Sequence, residues 1–266
     1  MDKPIIHLIN SQGGGKGKSL FTRVMAHYCT VEGYAVQLID ADAGKRNIKP
    51  FYPETLEIAM SAEEYWGADA ILECLEQGLS PIVNLPAGAN APLTRWLEDD
   101  GVMELKLITS TVANQPFELE LDEGEPLKIV QWFLCDATPD SLNDFKLSVA
   151  DFDRNYPNRL IHVLVKNQGL SPKLAWNLLE DRQIEELLSR TDIKSVDFAN
   201  FPMRERDRLQ ALQWTFAEAS RKTSEYSITE RQRIVTFLKK TIAQVKATQV
   251  WKNAPLWDSV SQSQSA

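Results

Sequence analysis

The stretch "SQGGGKGKSL", residues 11–20, decides how the rest of the chain is read. It follows a short apolar run, "IIHLIN" (5–10), and precedes "LFTRVMAHYCTVEGY", whose apolar residues recur at helical spacing. A strand, a glycine-rich loop and a helix in that order form a phosphate-binding arrangement. Glycines let successive N–H groups turn toward a ligand, and the helix start adds the positive end of its dipole. Gly17-Lys18-Ser19 matches the end of G-x-x-x-x-G-K-[ST], in which the lysine serves the outer phosphates and the hydroxyl a Mg²⁺ ion. That spelling also asks for a glycine where this chain has Gln12. A β–α turn that binds nothing needs one or two glycines, not four with a lysine at the helix start.

The chain around the loop is 266 residues long, 43% hydrophobic and 25% charged, ordinary values for a soluble globular protein. No apolar run reaches the roughly 18 residues that suggest a membrane span. The N-terminus enters strand-like sequence without a signal-peptide pattern, so a cytoplasmic location is expected. Cys29, Cys74 and Cys135 are widely spaced in apolar segments and read as buried, reduced thiols. His7, His27 and His162 lack ligand spacing and read as packing residues. Net charge is −8, unevenly spread: between Arg221 and Lys252 eight basic residues face two acidic ones, a balance of +6, so the remainder carries −14. That asymmetry hints at an anionic partner for the C-terminal end.

Short β-rich runs recur at 5–10, 35–40, 80–86, 105–112, 129–135, 160–165 and 193–198. Most are continuously apolar, as strands covered on both faces are. Helical patterns lie between them at 18–33, 66–77, 92–100, 140–154, 173–190 and 204–221. The alternation predicts an α/β fold with a doubly wound, mostly parallel sheet and helices on both faces. "ANQPFELELDEGEP" (113–126), acidic and alternating, is expected to form an excursion or hairpin at the sheet edge. The expected organisation is a nucleotide-binding domain over 1–222, a helical appendage over 223–257 packed on it, and a disordered Ser/Gln tail over 258–266.

The loop resembles the deviant Walker A loop of the ParA/MinD superfamily of P-loop ATPases, (N/S)-(Q/G)-K-G-G-V-G-K-(T/S). Gln12, Gly14, Gly15, Gly17, Lys18 and Ser19 match it; Gly13 replaces the family's signature lysine and Lys16 the usual valine. In the family that lysine reaches the partner's nucleotide across a dimer, so Gly13 puts the contact in question, and Lys16, Lys45 and Lys166 are the candidate substitutes. "VQLIDADAGKRN" (36–47) resembles the family's D-x-D-x-G-x-R-N stretch, and "PIVNLPAGAN" (81–90) its D-x-P-A-G strand, with Asn84 in place of the aspartate. "CDATPDSLND" (135–144), "VLVKNQG" (163–169) and "DFANFPMRERDRL" (197–209) follow in family order. Near the C-terminus "WTFAEASRKTSEYSITERQRIVTFLKK" resembles conjugal-transfer TraL-type members, and some cargo-positioning relatives also lack the signature lysine.

The resemblance implies a cytoplasmic, ATP- and Mg²⁺-dependent homodimerising switch with slow hydrolysis, used in DNA or plasmid partition, conjugal transfer or cargo positioning. It implies Gly13, Gly14, Gly15, Lys16, Gly17, Lys18, Ser19 and Leu20 around the phosphates, and Asn167 and Pro202 at the base. Lys18 and Asp42 would be catalytic, Asp42 orienting the attacking water; Ser19 and Asp40 would serve the metal. It also implies an adaptor or stimulating partner protein. Two alternatives stay open: a nucleotide-binding module with little or no hydrolysis, which Gly13 and Asn84 favour, and a biosynthetic P-loop ligase relative, which needs its own substrate pocket. In 229–251, Ile234, Leu238, Ile242 and Val245 share one helical face while Arg231, Lys239, Lys240 and Lys246 decorate the rest. Three readings follow: a helix docked on the sheet with a solvated basic surface, nonspecific DNA binding, and membrane-surface contact, with DNA preferred to membrane.

Overall fold

The computed structural model describes residues 3–251 apart from 43, 44, 46, 62–66, 113, 158, 179 and 180. Its strands are β1 (Ile6–Asn10), β2 (Val36–Asp40), β3 (Leu56–Glu57), β4 (Ser80–Asn84), β5 (Lys106–Thr109), β6 (Phe117–Glu120), β7 (Glu125–Pro126), β8 (Ile129–Cys135), β9 (Leu160–Asn167) and β10 (Ile193–Phe198). Seven of them form one parallel sheet in the order β10-β9-β8-β1-β4-β2-β3. Every residue of β1, β4 and β8 is buried, which is why those segments read as unbroken apolar runs rather than alternating ones.

The helices are α1 (Lys18–Glu32), α2 (Asp69–Glu76), α3 (Asn90–Glu98), α4 (Pro139–Asn155), α5 (Lys173–Leu178), α6 (Arg182–Leu188), α7 (Met203–Leu212), α8 (Phe216–Ser220) and α9 (Ile228–Ala247). Successive strand residues point to opposite faces and sort into separate cores. Ile9, Ile82, Trp132 and Val163 pack with Phe21 of α1, Phe216 of α8 and Phe237 of α9. Leu8, Ile39 and Val83 pack with Ile71 of α2 and Leu93 of α3. Phe133 and Leu164 meet Phe145 of α4. Helices therefore cover both faces, as a doubly wound α/β fold requires. His7 and His162 are fully buried, and burial pulls them down to about 3 and about 4. The three cysteines are free and buried.

The structure corrects three expectations and adds one edge strand. The run 105–112 contributes β5, which belongs not to the main sheet but to a separate antiparallel sheet ordered β6-β5-β7. Its apolar side, through Leu107 and Phe117, seals the α2–α3 core, so apolar content alone did not reveal which sheet it joins. The edge strand β3, two residues long, had no periodic signal. The single helix expected over 173–190 is two, α6 starting where Asp181 accepts from the N–H groups of Gln183 and Ile184. The helix expected over 204–221 also breaks: Gln213 takes φ 52°, and Thr215 with Glu218 forms a capping box that starts α8. Trp66, Gly44, Arg46, Lys252 and the 258–266 tail, all part of sequence readings above, lie outside the described residues.

α9 begins with a second capping box, Ser227 with Glu230. It buries Ile234, Phe237, Leu238 and Val245 against the core on the α1 side. Much of its basic decoration is answered within the chain. Arg233 pairs with Glu205 at 2.7 Å, Lys246 with Glu32 at 2.7 Å, and Arg231 donates to the Arg221 carbonyl at 3.1 Å. Arg221, Lys222, Lys239 and Lys240 are exposed. Among the described residues no helix is long and apolar enough to cross a membrane.

Candidate functional site

β1 lies between β4 and β8, where the chain's connections part toward the two halves of the sheet. The loop 11–17 leaves its C-terminal end at this switch point, the place where open α/β sheets bind ligands. Gly17 caps α1 with φ 97°, and Gly15 takes φ 72°. A Cβ on Gly14 or Gly15 would meet nothing within 4 Å, so the backbone there is open to an approaching group. Gly17 is enclosed instead: its Cβ would lie 2.7 Å from Asn167 Nδ2 and 3.5 Å from the Phe198 ring.

Lys18, at the first turn of α1, donates from Nζ to Ser11 Oγ at 2.8 Å, and that hydroxyl donates to the Gly13 carbonyl at 2.8 Å. Desolvation pulls the Lys18 ammonium down to about 8; Asp42 works against this and Lys45 with it. A cation so desolvated gains from any anion brought to it. Asp42, two residues beyond Asp40 at the end of β2, pairs with Lys45 at 3.3 Å. Lys18, Asp42 and Lys45 thus form one charge cluster beside the loop. Ser19 sits half-buried next to Lys18, and Leu20 packs against the core on the α1 side.

Asp40 is 1% exposed. Its Oδ1 accepts from Asn84 Nδ2 at 2.9 Å and its Oδ2 from the Ile48 N–H at 3.2 Å. Burial raises its pKa, while the Asn84 and backbone hydrogen bonds oppose that rise. Asn84 in turn accepts from Thr22 Oγ1 at 3.4 Å. The asparagine is therefore a donor to Asp40, a role an aspartate cannot fill when ionised. In Asn84→Asp two carboxylates would face each other there, and one would have to hold a proton. Its folded-state pKa would rise, so stability would fall as pH rises; the expected loss at pH 8 is about 2 kcal/mol. Thermal melts at pH 5 and pH 8 check this; a variant melting like the wild type at both would refute it.

Asn167, at the end of β9, donates from Nδ2 to the Lys16 carbonyl at 2.8 Å and accepts at Oδ1 from the Gly169 N–H at 2.9 Å. It pins the loop from the side, and a primary amide has a second N–H to offer. The end of β10 lies alongside, since Gln168 donates to the Phe198 carbonyl at 2.9 Å. Pro202 follows as the residue that starts α7. Strand order therefore brings the loop, Asp40, Asp42, Asn84 and Asn167 to one end of the sheet, with Pro202 beyond β10.

The three lysines considered as substitutes for the signature lysine all have carboxylate partners in the same chain. Lys16 pairs with Asp136 at 2.6 Å, Lys45 with Asp42, and Lys166 with Asp197 at 3.4 Å. Three further residues of the site escaped the sequence reading. Ser11 holds Lys18. Asp136 holds Lys16. Buried Asn10 accepts from the Ser11 N–H at 2.8 Å and donates to Asn90 Oδ1 at 2.7 Å, tying the loop to α3. Asp136 stood inside the quoted 135–144 turn, but its partner is 120 residues away in sequence.

The six stretches that resemble ParA/MinD motifs follow β1, β2, β4, β8, β9 and β10 in turn, on a doubly wound α/β fold built on a parallel sheet. No family model and no curated protein matches the chain. Solved structures do. The ATP complex of a McdA variant from Cyanothece aligns over 96% of this chain and 100% of its own, at 12% identity and TM-score 0.48. The MinC:MinD cell division complex of Aquifex aeolicus aligns over 94% and 98%, at 14% identity and TM-score 0.45. A nucleotide-binding protein of Archaeoglobus fulgidus in complex with ADP aligns over 79% and 86%, at 16% identity and TM-score 0.44.

Proposed function

We propose that this chain is an ATP- and Mg²⁺-dependent switch of the ParA/MinD kind, dimerising with ATP and hydrolysing it slowly. The observation that carries this reading is Lys18: its ammonium is desolvated beside open glycine backbone at the switch point and lies within electrostatic reach of Asp42. Loop amides around Gly14–Ser19 bind the phosphates, Lys18 neutralises the outer ones, and Leu20 continues the helix start behind them. Asn167 and Pro202 border the adenine.

Ser19 and Asp40 would hold the Mg²⁺ ion, a hydroxyl and a carboxylate being hard oxygen donors, and Asp40 would keep its bonds from Asn84 and the Ile48 N–H through the remaining lone pairs of its oxygens. When bound, the ion supplies charge neutralisation at the phosphates. Asp42, beside Lys18, orients a water for attack, a role of positioning rather than covalent chemistry. The partner reading rests on the family resemblance: a homodimer across the ATP-bearing end, a stimulating protein, and a cargo. Nonspecific DNA binding would rest on Arg221, Lys222, Lys239 and Lys240 in the C-terminal region, since Arg233 and Lys246 are paired within the chain. Such binding would be shallow and salt-sensitive.

The ligase alternative has a pocket to consider. A groove of about 510 Å³ opens beside Gln12 and Gly88. Its lining carries four carboxylates (Glu98, Asp99, Asp144, Asp151) against two guanidiniums (Arg95, Arg154). That balance repels the small carboxylate substrates of such ligases, which disfavours the reading.

Calorimetry with ATP and ADP, phosphate release, and gel filtration with ATP and Mg²⁺ test the proposal together. The expected result is micromolar binding, slow release abolished in Asp42→Ala, and an ATP-dependent shift to dimer. Binding with release no greater than that of Asp42→Ala would establish the non-hydrolysing module instead, and flat calorimetry would overturn nucleotide binding itself.

A further inference from the structure

Gly13 and Lys16 are the two positions where the loop departs from its family spelling, and in space they are one feature. A Cβ on Gly13 would come within 3.1 Å of Lys16 Cε and 3.9 Å of its Cγ, so the lysine stem lies across the bare backbone at Gly13. Its ammonium then reaches Asp136 Oδ2 at 2.6 Å, at the exit of β8. The other carboxylate oxygen accepts from Thr138 Oγ1 at 2.8 Å, and the Asp136 N–H donates to Ser141 Oγ at 3.3 Å, so the acceptor is itself held. Burial alone would raise the Asp136 carboxyl, but the Lys16 ammonium and the Thr138 hydroxyl keep it below the usual carboxylate range. Both side chains are 20% exposed, which leaves the pair dry enough to matter and near enough to solvent to exchange partners.

We propose that Asp136 competes with the nucleotide's phosphates for the Lys16 ammonium, so that the loop's second lysine is latched in the free protein and released to an incoming polyphosphate tail. The inference rests on the nucleotide-binding reading above. Asp136 is a positioning residue: it acts on the ligand only through Lys16. A side chain at position 13 would press on the latched stem and shift it by a few tenths of an ångström, so the bare backbone of Gly13 leaves the stem its path. The occupant is a ligand whose terminal phosphate carries more charge than one carboxylate, and the greater total charge of a triphosphate favours it over a diphosphate.

The test is a double-mutant cycle in the full chain, with ATP and ADP affinities measured by calorimetry. Asp136→Asn should bind ATP about tenfold tighter than wild type, equivalent to about 1.4 kcal/mol, with ADP changed less. Lys16→Ala should bind ATP more weakly and lose most of the ATP-over-ADP preference. Adding Asp136→Asn to Lys16→Ala should then change nothing, because the two act as a unit. If Asp136→Asn, shown folded by circular dichroism, binds ATP no tighter, the pair is a fixed strut and the proposal fails. If Asp136→Asn does not fold, Lys16→Ala decides alone: wild-type ATP affinity and preference in that variant would overturn it. Wild-type protein that binds neither nucleotide overturns the nucleotide reading instead, and with it this inference.

Discussion

Gly17→Ala is expected to abolish nucleotide binding, with a loss of at least about a hundredfold, or about 2.7 kcal/mol. Two effects add at this position. The backbone sits at φ 97°, where a Cβ costs about 1–2 kcal/mol. The new methyl would also press within 2.7 Å of Asn167 Nδ2, and on its other sides Phe198 and Leu134 stand at 3.5 and 3.7 Å. Asn167 would have to swing away, giving up its bond to the Lys16 carbonyl and with it the lateral hold on the loop. Gly15→Ala separates strain from collision. Gly15 also has positive φ, 72°, but its added Cβ would touch nothing. That variant should lose about tenfold or less. Calorimetry with ADP on both variants checks the pair, and equal losses would show that the Asn167 contact does not govern the loop.

The legibility of these features in the sequence depended on how far apart the interacting residues lie. The strand, loop and helix from 5 to 33 were readable because the signal is local: an apolar run, glycines in excess of what a turn needs, and a lysine at the helix start. The parallel strands were readable because burial on both faces forces continuous apolar runs. The same reasoning misplaced β5, since its apolar residues say that it is covered but not which sheet it joins. The breaks that divide α5 from α6 and α7 from α8 had a local signal, Asp181 as a cap and Thr215 with Glu218 as a capping box, outweighed by helical periodicity on either side. The latch was not readable. Lys16 and Asp136, or Asp40 and Asn84, meet only after the sheet brings the ends of separate strands together. The substitutions themselves were visible in sequence, Gly13, Lys16 and Asn84; what each now bonds to was not.

The second large effect is expected far from the phosphates. Phe237, on α9, is 3% exposed and stacks on Phe201 at 4.4 Å, with Phe216 at 5.8 Å and Phe198 at 5.9 Å. Phe237→Ala removes the ring at the centre of this group, a change that costs about 3–5 kcal/mol. In a chain of this size the melting temperature should fall by roughly 10 °C. Lys239→Ala and Lys240→Ala, on exposed positions of the same helix, should stay within about 0.5 kcal/mol of wild type. The consequence extends to the loop, because Phe198 bridges the two regions: it touches Phe237 on one side and stands against the Gly17 position on the other. If the C-terminal segment is packed as part of the nucleotide-binding unit, Phe237→Ala should melt in a single transition and bind ADP more weakly at temperatures where it is still folded. An appendage that folds separately would instead show its own early transition while ADP affinity stayed at the wild-type value. Melts followed by circular dichroism, with and without saturating ADP, distinguish these outcomes.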